Sequence, residues 1–312
     1  FQARVFPRLL TVEDFSGRDL GEAMRQGRFR LDIGRLRVKV KSGIPHFPVV
    51  FKTLYGRHSC AVDGGEYDFD ISIVPPNWLR RHIARNVVFE LSGERPFLPV
   101  DAGHAHALFE WGLNWTIGSF AHTYLILHSA VLETRGAGVL FSAVSGSGKS
   151  TLAAELALSG WRLLSDELAL LDERLKLIPC VRPVSLKNSS IDLIQSRHPE
   201  AVFGPLATNT HKGSIAHLPA PSDSIRRGSE SATPRLIVFP KWVDGAALRM
   251  RAVGQGQAAM RLIDQSFNYS TLGASGFQRL VGLVSSAEAW EIEYSSLDKA
   301  KDALNELVEH HG

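Results

Sequence analysis

The run Phe141-Ser-Ala-Val-Ser-Gly-Ser-Gly-Lys-Ser150 constrains this chain more than any other feature. An apolar segment, Gly138–Ser142, precedes the turn and reads as a buried strand. Lys149–Leu158 follows it and reads as a helix ending at Gly160. Strand, glycine-rich turn and helix in that order make a cradle for polyphosphate. Small residues let successive backbone N–H groups curl around an anion, and the start of the helix adds a favourable dipole. The usual spacing is G-x-x-x-x-G-K-[ST], and here Ala143 stands at the first glycine. The expectation is that Ser145, Gly146, Ser147, Gly148, Lys149, Ser150 and Thr151 bind a nucleotide. Lys149 would reach the outer phosphates, and the Ser150 hydroxyl would sit on Mg²⁺.

A chain of 312 residues can bury a substantial core and hold two domains, expected at 1–100 and 101–312. Hydrophobic content of 44% with 21% charged residues is that of a globular protein. No apolar run reaches bilayer-crossing length and no signal-peptide pattern is read, so no membrane partner is expected. Cys60 and Cys180 have no metal-ligand spacing with each other or with His. Two cysteines suit a reducing compartment, and the expected location is the cytoplasm. Net charge is +3, too little to argue for nucleic acid. Residues 1–100 carry 16 Lys/Arg against 11 Asp/Glu and the rest 19 against 21, so the N-terminal part is mildly basic.

The first hundred residues read as short strands: Phe29–Ile33, Leu36–Val40, Val49–Leu54, Phe69–Val74 and Val87–Leu91, several of them alternating polar and apolar residues. His104 to Tyr124 is helical in period, and Leu125–Leu132 reads as one strand pairing with the strand that feeds the turn. Beyond the turn, Trp161–Leu164, Leu168–Leu171, Leu175–Ile178 and Leu236–Phe239 are strand-like. Ile191–Arg197, Ala258–Tyr269 and Leu297–His310 are helical. Ala220–Pro234, rich in Ser, Pro, Arg and Gly, reads as a mobile loop or lid.

Three further features add chemistry. Asp166-Glu167 follows a short strand 17 residues beyond Lys149, and adjacent carboxylates beside a Mg-nucleotide can hold metal or accept a proton. Such a short interval argues against an ordinary motor or GTPase. His128 lies in an apolar strand 21 residues before Lys149, whose C-terminal end would approach the phosphates and so orient the carboxylate. Arg182, Lys187, Asn188, His211 and Lys212 are candidates for contacting the transferring phosphate or the substrate, since phosphoryl transfer needs positive charge on its oxygens.

His128, the turn Ala143–Ser150 and Asp166-Glu167 together resemble the HPr kinase/phosphorylase superfamily, and more closely the HPr-kinase-related kinases, whose relatives include lasso-peptide precursor kinases. Glu167 replaces the second Asp of the family's pair, and Arg182–Asn188 stands where the family has Glu-Ile-Arg-Gly-Leu-Gly. The resemblance implies a mixed α/β P-loop kinase domain, like that of phosphoenolpyruvate carboxykinase, beside a smaller β-rich N-terminal domain. It also implies ATP and Mg²⁺ as cofactors and a protein or peptide partner carrying a serine, such as a ribosomal peptide precursor. Asp166 would take the hydroxyl proton and His128 would orient it. Lys149 would stabilise the transferring group, while Ser150, Glu167 and Asp166 would serve the metal. The hexamers of HPr kinases make a homo-oligomer an expectation by resemblance alone. Two other functions fit the same residues: a catalytically silent nucleotide-binding regulator, and a small-molecule kinase whose lid is Ala220–Pro234.

Overall fold

The computed structural model describes residues 10–76, 86–210 and 213–311. The chain forms two compact units, Phe1–Glu110 and Trp111–Gly312.

In the first unit, α1 (Gly17–Arg25) starts at Ser16, whose hydroxyl accepts from the Asp19 N–H. There follow β1 (Phe29–Ile33), β2 (Leu36–Ser42), α2 (Phe47–Tyr55), β3 (Cys60–Val62), β4 (Phe69–Val74), β5 (Asn86–Leu91) and β6 (Val100–Asp101). They form a sheet in the order β3-β1-β2-β4-β5-β6, in which β2 and β4 run parallel. The alternation of β1 and β2 puts Leu31, Val38 and Val40 inward, and Phe51 of α2 meets Phe29 edge to face at 5.7 Å. Val49–Leu54, expected as a strand, is therefore part of a helix. Its buried residues Phe47, Phe51, Leu54 and Tyr55 fall at helical spacing, and Pro48 sits in the first turn where its missing N–H costs nothing.

Helix α3 (Ala105–Phe120) carries the chain into the second unit. Next come β7 (Leu125–Leu127), β8 (Ser129–Thr134), β9 (Ala137–Ser142), α4 (Lys149–Leu158), β10 (Arg162–Ser165), β11 (Ala169–Leu171), β12 (Leu177–Ile178) and β13 (Val184–Lys187). The remainder is α5 (Ser189–Arg197), β14 (Ala207–Thr210), β15 (Gly213–Leu218), α6 (Ser222–Arg226), β16 (Thr233–Trp242), β17 (Arg249–Val253), α7 (Gln255–Asp264), α8 (Tyr269–Leu272), α9 (Ala274–Ser286), β18 (Glu288–Tyr294) and α10 (Leu297–His311).

The main sheet has the order β10-β8-β9-β16-β18-β17, with β9, β16 and β18 parallel and the other pairs antiparallel. Its two faces hold separate cores. Val139, Phe141 and Val238 pack with Leu152 and Leu156 of α4 and Leu304 of α10. Leu140 and Ile237 pack with Leu262 of α7 and Leu280 and Leu283 of α9. Strands covered on both sides are continuously apolar, as Gly138–Ser142 is. Two smaller sheets, β12-β11-β7 and β13-β15-β14, complete a mixed α/β unit. Among the described residues, no helix is long and apolar enough to cross a membrane.

Two sequence expectations fail here. Leu125–Leu132 is two strands in different sheets, broken at His128, whose N–H donates to Gln265 O at 2.7 Å. Ala220–Pro234 is fixed, since it contains α6 and the start of β16. The Arg162 guanidinium, ion-paired to Glu133, donates to Arg227 O and Glu230 O, while Leu163 N donates to the Ser224 hydroxyl at 2.8 Å. A polar composition hides a loop whose hydrogen bonds are met by a buried arginine.

Candidate active site

The parallel strands β9, β16 and β18 run to Ser142, Trp242 and Tyr294, with Trp242 paired to Tyr294 and β9 ending three residues short of them, and the glycine-rich turn leaves from the end of β9. Open α/β sheets bind ligands beyond the carboxyl ends of their strands. Gly146 and Gly148 have φ of +88° and +87°, a region that a side chain strains to enter. A Cβ on Gly148 would also lie 3.0 Å from Trp242 Cβ and from Tyr294 Oη. Trp242 N donates to Ser147 O at 3.0 Å, tying the turn to β16. Ser147 Oγ is buried without a hydrogen-bond partner.

Helix α4 begins at Lys149, which is 6% exposed and donates from Nζ to Asp166 O at 3.2 Å. The sequence gives this helix alanine and leucine throughout, which suits a helix buried on nearly every side. Asp166 and Glu167 sit in the turn after β10, where Leu168 N donates to Ser165 Oγ. Asp166 points inward and is 4% exposed. Its Oδ2 accepts from Ser185 N of β13 at 3.1 Å, the Ser150 hydroxyl hydrogen-bonds to it, and its Oδ1 has no partner. Glu167 points the other way, with Oε2 3.3 Å from His128 Nε2.

The carboxylates titrate apart. Burial raises Asp166 above the usual range and the Glu167 charge adds to this, against the Lys149 ammonium and the Ser185 and Ser150 hydrogen bonds. Burial alone would also raise Glu167. The His128 hydrogen bond and the Lys149 and Lys187 charges together carry it well below the usual range.

A cavity of about 730 Å³ opens over the turn. Of the residues singled out in the sequence, it is lined by His128, Ser145, Gly146, Gly148, Lys149, Ser150, Thr151, Glu167, Lys187 and Asn188. Asp166 and Ser147 are not among its lining residues. Antiparallel pairing of Ser129 with Ser142 brings His128 there, at the junction between the C-terminal end of β7 and the N-terminal end of β8. Thr151 Oγ1 donates to Ser190 Oγ at 2.8 Å, and Asn188 Oδ1 accepts from Ser214 N at 3.1 Å. Arg182 is not in this group. It is 5% exposed, and its guanidinium donates to Asn114 Oδ1. His211 and Lys212 lie outside the described residues. The sequence reading missed the Ser185 N–H, Trp242 and Tyr294. Only Trp242 left a signal, an aromatic at the end of an apolar strand beside a turn.

Among the described residues, no cluster of three or more His, Cys, Asp or Glu side chains could hold a metal ion. Mg²⁺ needs fewer, because it keeps waters and phosphate oxygens and takes one or two carboxylates from protein. The partnerless Oδ1 of Asp166, next to the Ser150 hydroxyl, fits that demand.

No family model matches this chain, and no curated protein matches it. Among solved structures, the HPr(Ser) kinase/phosphatase from Coxiella burnetii is 14% identical and covers 60% of this chain and 95% of its own, with a TM-score of 0.27. A likeness that slight carries no weight for mechanism.

Proposed function

We propose that the second unit is a Mg²⁺- and ATP-dependent phosphotransferase acting on a serine hydroxyl of a protein or peptide. One observation carries the reading: the Lys149 ammonium, the Glu167 carboxylate and the His128 imidazole line one cavity with a glycine-rich turn at the start of a buried helix. Backbone N–H groups of Ser145–Lys149 hold the β-phosphate, and Lys149 neutralises charge between β and γ. Ser150 and Asp166 hold Mg²⁺, which supplies charge neutralisation on the phosphates.

The proton-accepting role given to Asp166 by sequence moves to Glu167. Asp166 is 4% exposed and off the cavity wall, whereas Glu167 faces the cavity with an imidazole against it to take up the change of charge. Lys187, on the same wall, meets the transferring oxygens. The small-molecule alternative loses its motive, because Ala220–Pro234 is pinned by Arg162.

The test is γ-labelled ATP with the purified chain, Mg²⁺ and lysate of the native host, followed by identification of the labelled species. Phosphoserine in a protein or peptide is the expected product. Nucleotide binding with no label on any acceptor would leave a silent regulator. Label on free serine in the absence of peptide would make this a metabolite kinase.

A further inference from the structure

The cavity is asymmetric about the glycine-rich turn. In the sheet order, β8 and β10 lie on one side of β9, and they deliver His128 and Glu167. On the other side lie β16 and β18, which deliver Trp242 and Tyr294. The charged side, where Lys149 also reaches Asp166, suits a terminal phosphate. On the other side Tyr294–Leu297 carry no charge, and the one cation on that wall, Arg197, is ion-paired to Glu155 and Asp298. Trp242 is 47% exposed there, with Val144 of the turn 66% exposed on the same cavity. Large apolar groups left open inside a cavity are the usual wall for an apolar ring. The Trp242 backbone is anchored to the turn, because its N–H is bonded to Ser147 O.

We infer that Trp242 is the stacking platform for the base of the bound nucleotide. The polyphosphate runs across the turn, from Lys149 and Glu167 back toward β16, and the purine lies on the indole. This rests on the phosphotransferase reading above and adds to it the site of the base. An aromatic face gives such contacts without reading donors and acceptors, so the platform accepts either purine.

Isothermal titration of the full chain with ADP and with inorganic tripolyphosphate separates the two levels of the argument. Trp242→Ala is expected to weaken ADP binding on the order of tenfold or more, as loss of a stacked aromatic does. Tripolyphosphate binding should stay within about twofold of wild type, and Trp242→Phe should keep most ADP affinity. Unchanged ADP affinity in Trp242→Ala overturns the inference alone. So does an equal loss for both ligands, which would mean that Trp242 only props the turn. An ADP loss in Leu193→Ala and not in Trp242→Ala would place the base on α5 and overturn it too. Wild-type protein that binds neither ligand brings down the phosphotransferase reading as well.

Discussion

Asp166 and Glu167 are neighbours in sequence and opposites in environment. Asp166 is buried against Ser150 and the Ser185 N–H, with its carboxyl pushed up, while Glu167 faces the cavity and is held ionised by His128, Lys149 and Lys187. Two changes of equal size should therefore have different signatures. Glu167→Gln should lower kcat by about 10²–10⁴, with KM for Mg²⁺ near wild type, because it removes only the proton acceptor. Asp166→Asn should raise the Mg²⁺ concentration needed for half-maximal rate as well as lowering kcat. Steady-state kinetics over a Mg²⁺ series decides it. A Glu167→Gln enzyme with near-normal kcat, beside an Asp166→Asn enzyme with unchanged Mg²⁺ demand, would return the base to Asp166. The residue types and spacing were readable in the sequence because the turn fixes its own geometry. Which carboxylate faces the cavity was not, since that depends on Ser165 closing the turn and on β13, which lies 19 residues beyond Asp166. Arg182 misled for the same reason: a cation before a strand looks available until Asn114, 68 residues away, takes it.

At the scale of elements, α4 is tied to its neighbours by one buried acid. Glu155, 1% exposed, accepts from Arg197 of α5 at 2.8 Å and lies 3.1 Å from His198 and 3.4 Å from Lys301 of α10. The Arg197 hydrogen bonds lead in holding its carboxyl down to about 2, with His198 adding and burial opposing. A depressed acid contributes stability above its unfolded value of 4.5, and that contribution is lost as pH falls from there through about 2. Its size is on the order of 3 kcal/mol. Glu155→Gln should therefore lower Tm at pH 7 and flatten the acid limb of stability. Urea melts from pH 7 to pH 3 measure this, and a variant whose acid limb matches wild type would exclude the mechanism. Segment 220–234 offers a second case. Removing the buried Arg162 guanidinium leaves Glu133 with only the longer Arg227 contact at 3.4 Å and the Gly136 N–H, at a cost of up to about 3–5 kcal/mol. Arg162→Met should open α6 to limited proteolysis between residues 222 and 232, while an uncut segment would mean that other contacts hold it. The fixed state of this segment was illegible because composition counts its own polar residues and not the distant arginine that satisfies them. The helix at Phe47–Tyr55 was read as a strand: apolar residues at 47, 51, 54 and 55 have helical spacing, but the β-branched residues at 49 and 50 masked it. The break at His128 was hidden by an apolar run that reads the same in one strand or two.

At the scale of the whole chain, two units each bury a core of their own, and every described residue lining the cavity over the glycine-rich turn belongs to the second. A ligand that binds only the native state stabilises whatever unfolds with its site, by about 2.7 kcal/mol at a hundredfold excess over Kd. For a unit of this size that corresponds to a rise in Tm of about 5–10 °C. Hydrogen exchange with and without Mg-ADP resolves where the protection falls. Amides of Ser145–Thr151 should slow most, followed by Asp166–Glu167 and Lys187–Ser190, because the first are bonded to phosphate and the others lose solvent and motion. Amides of β1–β5 should exchange at the same rate with and without the ligand, because their opening does not expose or destroy the bound site. Protection centred on the N-terminal sheet, with none at the glycine-rich turn, would move the nucleotide to a place that none of the chemistry described here predicts. Protection at the turn that vanishes in Lys149→Ala but survives in Glu167→Gln would tie the effect to phosphate binding and separate it from catalysis.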